Sequence, residues 1–311
     1  VWTQQPTDQT AGQPIPVVVT AKDPFGNTDL GFTGGANDIT LLPTGTGTWS
    51  GTTATPVDGV ATFGAFNIET AGTRTLAASG GGLNSSPPQS NPFTIFADAA
   101  THLVFTQSPA LGPTVAGQTL LPQVQVAARD QFENTNLNYT TSVTVSIDNN
   151  NSIGGLGVLT GGVAQNAVNG VATFSGLKID KAGLGYTLKA GDGSIVSSAS
   201  SGAFDIIGGT AVKLVFTSTP ANVDVVIDFP VVVEAQDGFG NPDPNYTAVI
   251  GLTLASSPPF TFLSGTVSAN AVAGVASLSP NFFSVAPPVD FTLQAASGVL
   301  PTVISSTITA N

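Results

Sequence analysis

The chain has 311 residues, no cysteine, 41% hydrophobic and only 8% charged residues, and a net charge of −12. That excludes a disulfide framework, a basic stripe for nucleic-acid phosphates and attraction to anionic lipid, and no apolar run of about 18 residues exists to span a bilayer. The hydrophobic content, periodically placed, excludes disorder, while 36 Gly and 22 Pro favour short strands and turns over helices.

The first predicted element, Val1-Trp-Thr3, is matched later by Leu103-Val-Phe-Thr106 and Leu214-Val-Phe-Thr217, with an aromatic at an equivalent place. The second carries Val17, Val19 and Ala21, then Val124, Val126 and Ala128, then Val231, Val233 and Ala235 at alternate positions. Between them stand Val18, Thr20 and Lys22; Gln125, Ala127 and Arg129; and Val232, Glu234 and Gln236, which drift towards polar. Side chains alternate faces along a strand, so the reading is a half-buried antiparallel strand with Val, Val and Ala inward.

That strand runs into the motif Asp-x-Phe-x-Asn-x-(Asp/Asn)-x-x-(Phe/Tyr)-Thr at 23–33, 130–140 and 237–247, a spacing of 107 residues. A second phrase follows each copy: Gly59-Val-Ala-Thr-Phe63, Gly170-Val-Ala-Thr-Phe174 and Gly274-Val-Ala-Ser-Leu278. Then come Arg74-Thr-Leu-Ala-Ala78, Tyr186-Thr-Leu-Lys-Ala190 and Phe291-Thr-Leu-Gln-Ala295. Arg74, a cation where the other copies have a ring, is expected to lie beside Glu69 or another carboxylate. Closing strands carry Phe93 and Ile95, then Phe204 and Ile206, with Ile308 standing in for the Phe.

A period near a hundred residues is too long for a solenoid unit and suits a self-sufficient domain. The expected organisation is three domains, 1–98, 99–209 and 210–311, each an all-β sandwich of about seven short strands punctuated by Gly, Pro or Asn. The joints, Ala97 to His102 and Ile207 to Lys213, are short and neither Pro- nor Ser-rich, so limited swing is expected. The chain lacks Met and opens in strand-like sequence, which reads as a processed product or excised fragment.

The opening Leu-Val-Phe-Thr, the Asp-x-Phe-Gly-Asn turn, Asn-Gly-Val-Ala-Thr-Phe and Ala-Gly-x-x-Tyr-Thr-Leu together resemble bacterial immunoglobulin-like (Big-type) repeats. The resemblance covers essentially the whole chain. Residues 169–174 and 182–188 carry it best; Ala273 and Ala286-Pro-Pro288 depart from it. It implies tandem immunoglobulin-like domains of large bacterial surface or secreted proteins such as adhesins, surface-layer components and fibres.

The motif is also the one cluster with metal-ligand character. Asp23, Asn27 and Asp29; Asp130, Asn134 and Asn136; and Asp237, Asn241 and Asp243 each put three oxygen-bearing side chains within seven residues. Ca²⁺ wants six to eight oxygens from such groups and from turn carbonyls. The plainer reading is a turn, with Gly26 and Gly240 at positive φ and Phe25, Phe132 and Phe239 plugging the sandwich end. Phe32, Tyr139 and Tyr246, at fixed spacing, read as core or corner residues. The sequons at Asn84, Asn138, Asn150 and Asn245 read as by-products of an Asn- and Thr-rich composition.

Catalysis finds little support: the sole histidine, His102, falls in a linker, and a Ser or Thr nucleophile needs a base held nearby. Lys22 aligns with Arg129 and Gln236 on an outward face, which argues against a Lys–Asn isopeptide bond. The expected function is a non-catalytic extracellular structural array without cofactor, either a passive spacer or a self-assembling filament or surface-layer subunit. Its partners would be other copies of itself or neighbouring repeats, with no nucleic acid and no membrane insertion. The alternative is an adhesin-type module that recognises glycan or host protein through end loops, with Phe260, Phe262, Phe282 and Phe283 as candidates.

Overall fold

A computed structural model of the chain describes residues 1–83 and 89–311; the sequon at Asn84 lies outside the described residues. Among the described residues the fold is all-β, with a single 3-10 turn at Gly35–Asn37, and no helix is long and apolar enough to cross a membrane. Buried side chains fall into three clusters: from Ala11 to Ile95, from Leu103 to Ile206 and from Ala211 to Ala310. Among the described residues no strand pairs with a strand of another cluster's stretch, so the three stretches are called repeats one, two and three below.

Repeat two displays the plan. One layer holds His102–Gln107, Val124–Arg129 and Val171–Phe174; the other runs Thr114–Val115, Phe204–Ile207, Gly183–Gly191, Ser142–Asn149, Gln165–Asn166. Pairing is antiparallel except where Thr114 and Val115 run parallel to Ile206 and Ile207. The same parallel bridge joins Gln9 and Thr10 to Ile95 and Phe96, and Asn222 and Val223 to Thr309 and Ala310. The plan is that of an immunoglobulin-like sandwich. Among the described residues each repeat has ten or eleven strand pieces rather than seven, several of them only two or three residues long.

The alternation legible in the second strand lines the core. Val17, Val124 and Val231 are fully buried, as are Val126, Ala128, Val233 and Ala235, with Val19 and Ala21 nearly so. Facing strands supply Phe63, Phe174 and Leu278 against Val17, Val124 and Val231. The aromatics of the opening strand meet the same partner in each copy: Trp2 on Val19, Phe105 on Val126 and Phe216 on Val233. The outer face is less open than the polar drift suggested, since Thr20, Ala127 and Gln236 are buried as well. Ile308 takes the place of Phe93 and Phe204 and is wholly buried, opposite Phe291.

Ring packing differs between copies. Tyr186 stacks on Phe204 at 6.0 Å, while Phe291 lies parallel to Phe282 at 3.9 Å, with Phe229 tilted beside it. Phe32 is buried in core one; Tyr139 and Tyr246 pack against cores two and three with hydroxyls on Asp192 and Ser297. Burial and then the Asp192 bond push the Tyr139 hydroxyl up to about 12. All three are corner or core residues, as their spacing implied.

Phe282→Ala removes a fully buried ring and its stack on Phe291, so we expect a loss of about 3–5 kcal/mol. Phe25→Ala, at a ring 89% exposed, should change stability by less than about 0.5 kcal/mol. Denaturant unfolding of the two variants checks the contrast.

Candidate functional site

The triplicated motif builds a polar site that recurs in all three repeats. Inside each copy the aspartate closes its own turn. Asp130 Oδ1 accepts the N–H groups of Phe132 and Asn134, both at 2.9 Å, and Oδ2 accepts Asn134 Nδ2 at 3.0 Å. Asp237 holds Phe239 and Asn241 at 2.8, 2.9 and 3.0 Å, and Asp23 holds Phe25 and Asn27 at 2.9, 2.8 and 3.0 Å. The residue before the Asn takes positive φ in all three: Gly26, Gly240 and, in repeat two, Glu133 at φ 68. Glu133 tolerates this while paired to Arg129 at 3.0 Å and to His102 at 3.1 Å. His102 therefore belongs to a strand, with a surface carboxylate as partner, and not to a linker.

Beyond closing the turn, copies two and three clamp the preceding repeat. Asn134 Nδ2 donates to the Glu69 carbonyl at 2.7 Å, and Ala71 N–H donates to Asn134 Oδ1 at 2.8 Å. Asn241 does the same to Asp180 and Ala182, both at 2.9 Å. A side-chain amide thus fills the place of a strand residue, satisfying a C=O and an N–H two residues apart. Asp130 Oδ2 also accepts Asp98 N–H, and Asp237 Oδ2 accepts Gly209 N–H, each at 2.9 Å, so the connector is fixed by the same carboxylate. The third polar position adds one more bond: Asn136 Nδ2 to Asp98 O, and Ala211 N–H to Asp243 Oδ2, at 2.9 Å.

The motif phenylalanines were expected to plug their own sandwich. They point the other way. Phe132 packs against core one, and a Cβ built on Gly12 would fall 2.5 Å from its Cζ. Phe239 lies against Gly117 in the same manner. Gly12 and Gly117 sit at φ 76 and 77, so both the backbone and the ring require glycine there. Phe25, in repeat one, is exposed. A phenylalanine at fixed spacing looks like core from sequence; only its neighbour's missing side chain reveals the contact.

Arg74 also departs from expectation. Its Nη2 meets the main-chain carbonyls of Thr46, Thr70 and Ala71 at 3.1, 3.4 and 3.5 Å rather than a carboxylate. Tyr186, its counterpart, donates from its hydroxyl to Lys181 O at 3.0 Å. The two unlike side chains therefore hold the same loop, the one that receives the next repeat's asparagine. Lys181 adds a bond from Nζ to Phe239 O at 2.7 Å across the second joint.

The leading aspartates of the three motifs, Asp23, Asp130 and Asp237, sit below the ordinary carboxylate range. For Asp130 and Asp237 burial pushes upward, and bonds from the Asn side chain, the connector N–H and the turn N–H groups outweigh it. For Asp23 the Asn27 amide is the main cause. The nine Ca²⁺ candidates are thus brought together three by three, but the oxygens of Asp130 and Asp237 are ringed by N–H donors that a cation would have to displace. Among the described residues no group of three or more His, Cys, Asp or Glu could hold a metal ion. Lys22, exposed, bonds its own turn at Gly26 O, 2.9 Å away.

The ligand candidates of repeat three separate. Phe260 is 82% exposed, and exposed Phe262 stacks at 4.7 Å on half-buried Phe283, its partner on the neighbouring strand. Phe282 is wholly buried in core three and is a packing residue, because strand alternation turns it inward beside outward Phe283.

No family model matches the chain, and no curated protein does. Among solved structures it is similar to the Escherichia coli adhesin FdeC, at 16% identity and a TM-score of 0.40, covering 100% of this chain and 95% of that one. Invasin, a bacterial integrin-binding protein, matches at 13% identity and a TM-score of 0.35, covering 100% of this chain and 59% of that one. A β-glycosidase from Bacteroides vulgatus matches at 12% and 0.30, over 67% of this chain and 24% of that one.

Asn134→Ala removes both amide bonds of the first joint, which should cost about 1–3 kcal/mol of docking. Hydrogen exchange of the Ala71 amide checks this, with Ala182 as the unchanged reference. Acid should loosen both joints. A carboxylate depressed in the folded state contributes stability that is full above the ordinary 3.8, and that is lost as pH falls through the depressed value. Exchange at Ala71 and Ala182 should therefore accelerate only below that ordinary value.

Proposed function

We propose that the chain is a non-catalytic, extracellular structural array, a stalk, fibre or lattice segment of a bacterial surface protein. Its three immunoglobulin-like domains, 1–98, 99–209 and 210–311, fold as units and are held at fixed relation by the Asp/Asn clamps. The observation that carries this reading is that the same clamp, with the same partners two residues apart, occurs at both joints. A flexible tether would need no such duplicate. Each sandwich spans about 30–35 Å along its strands, so three in line would reach on the order of 100 Å. The sequence resemblance to Big-type repeats and the thin negative charge agree with an exterior location.

In this reading the motif is a mechanical joint and binds no cation. Small-angle scattering should give a stiff particle with a maximum dimension on the order of 100 Å. The Asn134→Ala/Asn241→Ala double variant should broaden the distance distribution while each repeat keeps its melting transition. A compact particle, or a double variant indistinguishable from the parent, would reject the array. Added Ca²⁺ should leave the melting temperature unchanged.

A second reading, recognition of glycan or host protein, is favoured by one observation: exposed Phe260 lies close in sequence to the Phe262–Phe283 stack in repeat three. If that patch binds, Phe260→Ala should abolish signal on a glycan array or a host-matrix panel without altering stability.

A further inference from the structure

Repeat one carries the complete clamp with nothing in it. Asp23 closes the turn on Phe25 and Asn27 with the same three bonds as Asp130 and Asp237. Among the described residues, Asn27 Oδ1 and the ring of Phe25 meet no neighbouring repeat, and Asn27 is exposed where Asn134 and Asn241 are buried. The turn is thus preformed on both sides of the comparison. What differs is only the presence of a receiving end.

Two of the chain's three receiving ends share a recognisable build. Each has a glycine at φ 76 or 77 whose N–H meets Ile68 O or Ile179 O at 2.8 Å, leaving room for a ring. Each has a loop, Glu69 to Ala71 or Asp180 to Ala182, whose C=O and N–H face the incoming amide, braced from behind by Arg74 or Tyr186. Repeat three's outer end has neither. Val226 occupies the glycine place, at φ 57 with its N–H on Phe282 O at 2.8 Å, and its side chain is 59% exposed where the ring would lie. Phe291, at the place of Arg74 and Tyr186, has no donor to brace the loop.

The geometry points to the Asp23–Asp29 face of repeat one as a docking surface for the outer end of another repeat of this type, one that bears glycine at the ring-facing turn. A second copy of the chain presents Val226 instead and is a poor fit. The array is therefore polar: it extends at repeat one by further glycine-bearing repeats and terminates this mode of stacking at repeat three. This deepens the array reading above and rests on it.

The test adds a receiving end to the intact chain. Residues Thr101–Leu214 are fused directly ahead of Val1, so that Leu214 leads into Val1 as it does into Val215. Hydrogen exchange of the 23–33 segment should slow by about tenfold or more relative to the unfused chain. Gly117→Asn in the added copy tolerates the positive φ but fills the ring's space, and it should return exchange to the unfused rate. Asn27→Ala in the recipient should do the same, with unchanged melting of the added repeat as the folding control. Equal exchange in fused and unfused chains overturns the proposal, as does protection that survives Gly117→Asn. Protection that appears in the unfused chain at high concentration assigns the face to a second copy and also overturns it. Failure of the underlying array reading would show separately, as loosened joints in the scattering of the unfused chain.

Discussion

The asparagine of the Asp-x-Phe-x-Asn turn is the constraint on which the arrangement of repeats depends. Its amide offers a donor and an acceptor side by side, the same pair a backbone residue offers in a sheet. Asn134 and Asn241 use that pair to close on a carbonyl and an N–H of the preceding repeat. Both asparagines are nearly inaccessible to water, where an unmet backbone group would be costly, so the bonds are demanded by burial and not merely permitted.

Asp130 and Asp237 make the clamp directional. Each carboxylate orients the amide from one side and grips the connector N–H from the other. Turn, connector and neighbouring repeat are thereby tied through one charged group, which strengthens each bond relative to a neutral acceptor. The motif phenylalanine then fills the glycine-lined notch, so polar and apolar contacts specify the same orientation. A sandwich end with bare glycine and a braced loop is thus a socket, and the turn is its plug.

Core and joint follow different rules in this chain. In the core, unlike rings solve the same packing problem: Tyr186 on Phe204, Phe291 on Phe282. Behind the socket, an arginine and a tyrosine solve the same hydrogen-bonding problem, because either donor can reach the loop carbonyls. Position 74 reads as an anomaly along the sequence and as an equivalent in space. Repeat three keeps the ring and loses the donor, which leaves a sound core and a different outer end.

Period-two alternation sufficed, from sequence alone, to place Val17, Val126 and Ala235 inside, because strand burial is a local property of alternating side chains. The strand position of His102 and the outward aim of Phe132 were not legible. Each depends on what lies opposite, which alternation within one strand does not encode. Sequence also marked the Asp, Asn and Phe of the motif as a unit with two readings, a turn or a metal site. Only the tertiary structure set their partners, since Glu69 and Ala71 lie 65 and 63 positions from Asn134 and are brought to it by the stacking of two separately built cores.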